Sequence, residues 1–381
     1  PRSACAAPLG GNKTRRTRQR PRRDTSRRPK NAHMDLPVCL VTGVSGFVAG
    51  HVALALLETK RFRVRGTVRD PNNAAAVAHL AAHATLKDVE LVEADLLSDA
   101  GWEAALEGCA YCCHCASPFP IGEVEAGSLV APAVEGTERV LRFAKQAGVQ
   151  RVVVTSSVVA ISSGRDPKDT APRTFSEADF SNADLCEEYP RSKTLAEEKA
   201  WALSEELGLD VATVNPSYVI GPLLSSRDCS SAMLVKRLLS GDMPAVPRVW
   251  VPSVDVRDVA KAHVRAMEAP EAKGQRYLLD SGAPLWMTEV AAMLRAEYGP
   301  KGFKVPRFAA PYLLIALFAL WDKGAAAVKS SIGRKVTSYD PSKARALLGG
   351  ELIGPERSYP DMARSLIDLG VVKGPRGKKR G

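Results

Sequence analysis

Short apolar runs alternate with helical segments along the first two thirds of this 381-residue chain. Most of the runs are almost continuously apolar, which is typical of strands buried on both faces of a parallel sheet. The alternation predicts an α/β fold: a Rossmann-type doubly wound parallel sheet, followed by a smaller C-terminal substrate lobe. Strands are predicted at residues 38–42, 63–68, 89–94, 110–116, 151–156 and 211–215, and helices at 48–59, 135–147, 255–268, 287–297, 341–348 and 360–369.

The net charge of +11, from 53 Lys and Arg against 42 Asp and Glu, is concentrated at the two ends of the chain. Residues 1–33 carry a net charge of +10 and residues 372–381 carry +5, which leaves −4 for residues 34–371. We therefore expect no nucleic-acid surface on the folded body, because such a surface would have to lie on the basic tails.

The chain is predicted to divide into four segments. Residues 1–33 form a basic leader without apolar periodicity, which is expected to be disordered. Residues 34–220 are the NAD(P)-binding domain, residues 221–371 the substrate lobe, partly interleaved with the sheet, and residues 372–381 a basic tail. The leader is open to three interpretations: an organelle transit peptide, a dispensable extension before Met34, or a nucleic-acid-binding arm.

A reducing compartment is expected, because eight cysteines in a chain of this size do not form a disulfide framework and no secretory signal is apparent. The localisation is predicted to be cytoplasmic, with plastid or mitochondrial import if residues 1–33 are a transit peptide. No apolar run is long enough to predict a transmembrane helix. The longest, at residues 308–321, is expected to be a buried helix of the second lobe, with a membrane-surface or substrate-entry helix as the alternative.

A glycine-rich turn follows the first predicted strand in VTGVSGFVAGH and leads directly into a helix. Gly43 allows the tight turn, Gly46 lets backbone amides approach a pyrophosphate, and Ala49 lets the helix pack closely on the strand. Arg69, at the end of the second strand, favours the 2′-phosphate of NADP over NAD. Asp95, after the third strand, is a candidate for binding the adenine amino group, with a turn residue as the alternative.

Three residues from distant stretches are candidates for proton transfer. Ser157 follows the fifth predicted strand, at the edge where open α/β sheets bind ligands. Tyr189 and Lys193 lie four residues apart, which places them on one face of a helix. The ordinary pKa of a phenol is near 10. A nearby ammonium, together with the charge of a cofactor, is expected to lower it and so make proton transfer practical.

Five motifs resemble those of the extended short-chain dehydrogenase/reductase family: TGVSGFVAGH, TSSV, YPRSKTLAEEKAW, NPSYVIGP and DPSKARALLG. The dihydroflavonol, cinnamoyl-CoA and phenylacetaldehyde reductase branch fits best, and the resemblance covers about residues 37–371. It implies that Ser157 orients the substrate oxygen, Tyr189 donates the proton, and Lys193 holds the nicotinamide ribose and lowers the pKa of the tyrosine. The implied cofactor contacts are Gly43, Ser45, Gly46, Phe47, Val48, Arg69, Asp95, Leu96, Cys115, Ala116, Ser117, Tyr189, Lys193, Pro216 and Val219.

The chain departs from the family patterns at three places. Residues 74–76 are alanines where dihydroflavonol reductases often carry lysines, which weakens the preference for NADP. Ala133 replaces the asparagine of the sugar-nucleotide epimerases, which disfavours that branch. The sequence CEEYPRSK stands where cinnamoyl-CoA reductases have their own signature, which argues against that substrate.

A cluster of cysteines and a histidine at residues 109–115, CAYCCHC, suggests a zinc site, but it lies on a predicted strand. Neighbouring side chains of a strand point to opposite faces and cannot converge on one metal ion, so no metal is expected. His51 and His263 are expected to be surface or packing residues without a role in the chemistry. The substrate pocket is expected to include Leu223, Met233 and the stretch at residues 306–321.

The resemblance thus implies an NAD(P)-dependent oxidoreductase that reduces an aldehyde or ketone, with NADPH preferred and NAD as the second cofactor. Tyr189 would supply the proton, and the partner would be a small carbonyl or alcohol substrate. The alternatives are a hydroxysteroid or sugar-nucleotide dehydrogenase or epimerase of the same superfamily, and a non-catalytic dinucleotide-sensing or nucleic-acid-associated protein. The oligomeric state is left open.

Overall fold

A computed structural model describes residues 36–117, 128–166, 171–227, 229–318, 320, 332–333 and 337–374. The predicted leader at residues 1–33 lies outside the described residues, as does the basic tail from residue 375 onward.

The secondary structure alternates along the described chain as the apolar pattern predicts. The strands are β1 Val38–Val41, β2 Arg63–Val68, β3 Glu90–Glu93, β4 Cys109–His114, β5 Arg151–Thr155, β6 Arg173–Phe175, β7 Asp210–Pro216, β8 Tyr218–Ile220, β9 Trp250–Val251, β10 Ser253–Asp255, β11 Arg276–Leu279, β12 Leu285–Trp286 and β13 Thr337–Tyr339. The helices are α1 Phe47–Glu58, α2 Ala74–Ala82, α3 Trp102–Leu106, α4 Val130–Gln146, α5 Val159–Ser162, α6 Glu188–Leu207, α7 Met233–Ser240, α8 Val256–Glu268, α9 Met287–Tyr298, α10 Tyr312–Phe318, α11 Ser342–Leu348 and α12 Pro355–Asp368.

Seven of the strands form one sheet in the order β11-β7-β5-β4-β1-β2-β3. Every neighbouring pair in this sheet is parallel, so all the strands end at the same edge. The predicted Rossmann-type α/β sheet is therefore confirmed. The strand β11 lies at one margin of the sheet although it comes late in the chain, after the start of the predicted substrate lobe.

Apolar clusters cover the two faces of the sheet, which is why its strands are apolar along most of their length. On one face, Val52 and Leu56 of α1 pack with Val259 of α8. On the other, Leu141 of α4 packs with Leu203 of α6. A third cluster lies among α7, α9 and α12 and forms the core of the C-terminal part.

Two predicted helix boundaries were wrong by five residues. The helix α4 begins at Val130, and α12 begins at Pro355 with Pro360 inside it. The early start of α12 follows from Pro355 in its first turn, where the missing N–H removes no hydrogen bond.

The expectation of a buried helix at residues 308–321 was also wrong within the described part. Phe308, Tyr312, Leu313, Leu317 and Leu320 are all exposed, whereas Ile315 is buried. Ile315 therefore packs against the protein, whereas the exposed side chains around it do not. Residues 319 and 321 lie outside the described residues. Across the part of the chain that the structure covers, we find no helix with the length and apolar character needed to cross a bilayer.

Candidate active site

The sheet reverses direction of winding between β1 and β4, and this is where a doubly wound sheet opens a crevice at its carboxyl edge. Gly43 follows β1 at this point with φ +66°, a conformation that side chains rarely adopt. A Cβ atom added at Gly43 would lie 3.1 Å from the Cβ of Ala116, which follows β4. A side chain here would be strained and crowded, and the bare backbone of glycine leaves room for a ligand to approach the turn closely.

Hydrogen bonds hold the glycine-rich turn against its neighbouring strands. The hydroxyl of Thr67 on β2 accepts the N–H of Gly43 at 2.9 Å. On the other side, the hydroxyl of Thr42 accepts the N–H of Ala116 at 2.9 Å and contacts Nδ1 of His114 at 3.0 Å. The turn is thus fixed to β2 on one side and to the end of β4 on the other.

The helix α1 starts directly after this turn, with Gly46 as its N-cap residue. Its first turn has the sequence FVAG and brings no acidic side chain to the helix N-terminus. Unpaired N–H groups and the helix dipole favour an anion at such a position. Ser45, Phe47 and Val48 lie on the turn and the first turn of α1, as predicted, and the bare backbone with this helix end fits the pyrophosphate of a dinucleotide.

Exposed cationic side chains lie near the end of β2 and the start of α2. Arg69 is exposed immediately after the strand, five residues before α2 begins at Ala74. Arg227, which the sequence reasoning missed, donates a hydrogen bond to the carbonyl oxygen of Ala76 at 3.3 Å. The guanidinium of Arg227 therefore lies against the first turn of α2.

The two residues Asp95 and Leu96 follow β3, where the first stabilises a turn and the second packs against α4. One carboxylate oxygen of Asp95 accepts the N–H of Leu97 at 2.9 Å, so Asp95 stabilises the turn as the alternative interpretation proposed. Leu96 lies against Gly136 of α4, whose added Cβ would be 3.1 Å from the Leu96 Cβ. Contacts of Asp95 and Leu96 with a cofactor stay a prediction.

Ser157 and Tyr189 are brought together at the carboxyl edge of the sheet. Ser157 is buried just after β5, and Tyr189 is the second residue of α6. The Ser157 hydroxyl forms a hydrogen bond with the phenol, which acts to lower the tyrosine pKa, but burial outweighs it and raises the pKa of Tyr189 to about 12. Burial dominates in the protein alone, because it removes the water that would stabilise the phenolate. The lowering expected from Lys193 together with the charge of a cofactor stays a prediction.

Lys193 lies one helical turn after Tyr189 and is also buried. Its ammonium donates to the carbonyl oxygen of Thr155, at the end of β5, over 3.5 Å. Burial lowers the pKa of Lys193 to about 8, although Cys115 and Glu197 act in the opposite direction. The amine therefore stays mostly charged at neutral pH but loses its proton at a lower pH than an exposed lysine.

Pro216 is buried at the end of β7, which reaches the same edge of the sheet, and Val219 is buried three residues later in β8. Ala116 and Ser117 follow β4 and are partly buried. These positions agree with a shared edge, while their contacts with a cofactor stay a prediction. Leu223 is buried and Met233 is exposed in the lobe that follows.

Both histidines that were expected to lack a role are buried packing residues. Nε2 of His51 contacts the carbonyl oxygen of Pro222 at 2.8 Å, which ties α1 to the segment after β8. Nδ1 of His263 lies 2.8 Å from the carbonyl oxygen of Val259, so it carries the proton and Nε2 accepts from the Thr155 hydroxyl at 2.7 Å. Burial lowers the pKa of His263 to about 4, and it stays neutral beside the end of β5.

The cysteine cluster belongs to the core. Cys112 packs into the cluster on one face of the sheet, while Cys113 packs into the other and lies with its sulfur 3.9 Å from that of Cys39. Among the described residues, no three His, Cys, Asp or Glu side chains come close enough to hold a metal ion. Burial raises the pKa of Cys112 well above its ordinary value, as expected for an inert core thiol.

Comparisons with known proteins agree with this geometry. The model of the NAD dependent epimerase/dehydratase family matches residues 39–279. Tetraketide alpha-pyrone reductase 1 of Arabidopsis thaliana is 38% identical over 352 residues, or 88% of this chain and 96% of that protein. Cinnamoyl-CoA reductase CAD2 of Medicago truncatula is 37% identical over 269 residues, or 68% of this chain and 81% of that protein. The Gre2 structure from Candida albicans, determined with NADPH, is 26% identical, with a TM-score of 0.70 over 87% of this chain and 99% of that chain.

A glycine-rich crevice beside a Ser, Tyr and Lys set defines a dinucleotide-dependent oxidoreductase of the extended short-chain type. The chain belongs to the NAD dependent epimerase/dehydratase family, as its matching residues and its relatives show. The family and the enzyme class predicted from the sequence are confirmed.

Proposed function

We propose that this chain is an NADPH-dependent reductase of an aldehyde or ketone. The observation that carries the proposal is the contact between the Ser157 hydroxyl and the Tyr189 phenol, with Lys193 one helical turn further on. These three groups lie at the carboxyl edge of the sheet, the edge that also carries the Gly43 turn. The reductases among the relatives support the same reaction class.

The residues suited to hold NADPH run along this edge. The backbone from Gly43 to Gly46 and the start of α1 would take the pyrophosphate. Arg69 and Arg227 would take the 2′-phosphate, and this second guanidinium replaces the cation lost at the alanines of α2. When bound, NADPH supplies the hydride that reduces the carbonyl carbon.

The side chains would handle the substrate oxygen. Ser157 and Tyr189 would each donate a hydrogen bond to the carbonyl oxygen, where negative charge develops during reduction. Because the pKa of Tyr189 is raised to about 12, the phenol is protonated at neutral pH and ready to act as an acid. An alkoxide is a far stronger base than a phenolate, so the proton would pass from Tyr189 to the product oxygen. The Lys193 ammonium would then stabilise the phenolate.

The C-terminal part would select the substrate. Leu223 is buried after β8 and is fixed to α12, because its N–H donates to the hydroxyl of Ser365 at 2.8 Å. Met233 is exposed at the start of α7 and offers an adaptable apolar surface. These side chains favour an apolar carbonyl compound over a charged sugar nucleotide.

The test is a panel of aromatic and aliphatic aldehydes, ketones, flavonoids and a UDP-sugar, assayed with NADPH and with NADH. We expect at least one carbonyl compound to be reduced, and faster with NADPH. Turnover of the UDP-sugar without net consumption of cofactor would instead support an epimerase. Salt-sensitive DNA binding that depends on residues 1–33, with no turnover of any carbonyl compound, would support the nucleic-acid reading. The cytoplasmic location, or organelle import through residues 1–33, stays a prediction.

A further inference from the structure

Glu197 is a carboxylate buried inside the protein, on the same helix as the candidate catalytic residues. It follows Tyr189 by two turns of α6 and Lys193 by one turn, so the three residues share one face of the helix. Only 1% of Glu197 is exposed to solvent. A buried carboxylate is costly unless it is fully paired, so its partners show what the protein gains from it.

Both oxygens of Glu197 accept hydrogen bonds from other elements of the fold. Oε2 accepts from the Ser156 hydroxyl at the end of β5 and from the Asn215 side-chain amide on β7 at 2.7 Å. Oε1 accepts from Nε of Arg276 on β11 at 2.6 Å and from the Trp201 indole at 3.1 Å. One side chain therefore ties α6 to three neighbouring strands of the sheet.

Two of these partners lead directly to Ser157. Ser156 precedes it in the chain, and the Asn215 amide also donates to the Ser157 carbonyl oxygen at 3.3 Å. The Glu197 carboxylate thus holds the backbone of Ser157 through Ser156 and Asn215. The same carboxylate fixes α6, the helix that carries Tyr189. A shift of α6 along the sheet would have to break these bonds before it could separate the two hydroxyl groups.

Arg276 completes the pairing and is itself held rigidly. It is buried, and one terminal nitrogen donates to the carbonyl oxygens of Glu177 at 2.9 Å and Asp179 at 2.6 Å. Its guanidinium carbon lies 3.7 Å from the centre of the Phe180 ring. Because Arg276 cannot follow a displaced carboxylate, the ion pair gives α6 a fixed position relative to β11.

We propose that Glu197 is a positioning residue of this site, which locks α6 to the ends of β5 and β7 so that Ser157, Tyr189 and Lys193 stay aligned. This inference rests on the proposed reductase function. Glu197 touches neither substrate nor cofactor, and it acts through Ser156, Asn215 and the helix itself.

The charge of Glu197 also acts on Lys193. Around this amine, α6 contributes Glu197, β4 contributes His114 and Cys115, and α8 contributes the neutral His263 behind Thr155. Among these groups, Glu197 and Cys115 raise the pKa of Lys193 while burial lowers it. Loss of the carboxylate charge would leave Arg276 unneutralised nearby, so the pKa of Lys193 would fall further.

The test compares Glu197→Gln with Asp210→Asn. Asp210 forms a similar largely buried ion pair with Arg151 at 2.9 Å, but at the opposite ends of the same strands β7 and β5. We expect Glu197→Gln to lower kcat by about tenfold or more, since small misplacements of reacting groups cost up to about 100-fold. Its Kd for NADPH should change less than about threefold, and the alkaline limb of its kcat profile should move to lower pH. Asp210→Asn should lose stability and keep the kcat and pH profile of the wild type.

Two further measurements keep the inference open to refutation. Ser156→Ala removes one bond to Glu197 and keeps its charge, so kcat should fall while the pH profile stays in place, even if Glu197→Gln does not fold. The pKa of Lys193, followed by NMR of labelled lysine, should be lower in Glu197→Gln than in the wild type. Unchanged kcat in Ser156→Ala, or an unchanged Lys193 pKa in folded Glu197→Gln, overturns the inference. If the wild-type protein reduces no carbonyl compound, the proposed function is refuted. The NMR comparison still tests the role of Glu197 in that case, because it does not depend on turnover.

Discussion

Lys193 offers a test of how much a buried charge destabilises the folded protein. Burial lowers the pKa of its amine from 10.5 to about 8. A difference of that size corresponds to about 3 kcal/mol, at about 1.4 kcal/mol per pKa unit, by which the charged amine destabilises the folded state. The bond from its ammonium to the Thr155 carbonyl oxygen is long, at 3.5 Å, and offsets little of this cost. Lys193→Met should therefore raise the free energy of unfolding at pH 7 by about 2–3 kcal/mol.

The pH dependence of this gain follows from the lowered pKa. Below about pH 8 the amine is charged in both the folded and the unfolded protein, so the full cost is present. Between about pH 8 and 10.5 the unfolded state binds more protons, the wild type gains stability relative to the variant, and the gap closes. Urea unfolding followed by tryptophan fluorescence measures both proteins across this range. The matched control is Lys199→Met, because Lys199 lies on the same helix, partly exposed and 3.3 Å from Glu138. A variant no more stable than the wild type at pH 7, or a gap that does not close, refutes this reasoning.

Two substitutions test the cofactor crevice. Arg69→Ala should weaken NADPH binding about 10- to 100-fold, which is the contribution of a hydrogen bond to a charged group, and leave NADH binding unchanged. Fluorescence titration with both dinucleotides measures the two affinities. Equal weakening of NADPH and NADH would count against a contact with the 2′-phosphate. Gly43→Ala should weaken binding of both dinucleotides, because its Cβ would crowd the Ala116 Cβ at 3.1 Å and the turn would have to shift. The matched control is Gly108→Ala, because Gly108 has a similar φ of +68° but open space around it. This variant should lose the same free energy of unfolding, about 1–2 kcal/mol, and still bind NADPH. Loss of binding in both variants would point to misfolding instead.

The local sequence pattern was enough to predict the sheet and the glycine-rich turn. Strands buried on both faces must be apolar along their length, so β1 to β5 and β7 were recognisable with small errors at their ends. β11 was not among the named strands, because its four residues Arg276–Leu279 lie in a stretch without the strand–helix rhythm. The helix Tyr312–Phe318 was misjudged for the opposite reason: an apolar sequence gives no information on whether a partner surface covers it.

The pairing of Tyr189 with Lys193 could be predicted because both lie on one helix, four residues apart. The network around Glu197 could not, since Ser156, Asn215 and Arg276 are far from it in the chain and meet it only after the sheet forms. The raised pKa of Tyr189 in the protein alone could not be predicted, because the sequence does not show how far the phenol is buried.

The central claim is that the Tyr189 phenol supplies the proton when a carbonyl compound is reduced. The most direct measurement is the kcat of Tyr189→Phe with NADPH and the best substrate of the panel, beside the Kd for NADPH. Tyr298→Phe is the matched control, because its phenol donates to the Pro360 carbonyl oxygen at 3.0 Å in the C-terminal core. We predict that Tyr189→Phe lowers kcat by at least about 100-fold with a Kd near that of the wild type, while Tyr298→Phe keeps its kcat. A Tyr189→Phe variant that turns over at the wild-type rate would contradict the account.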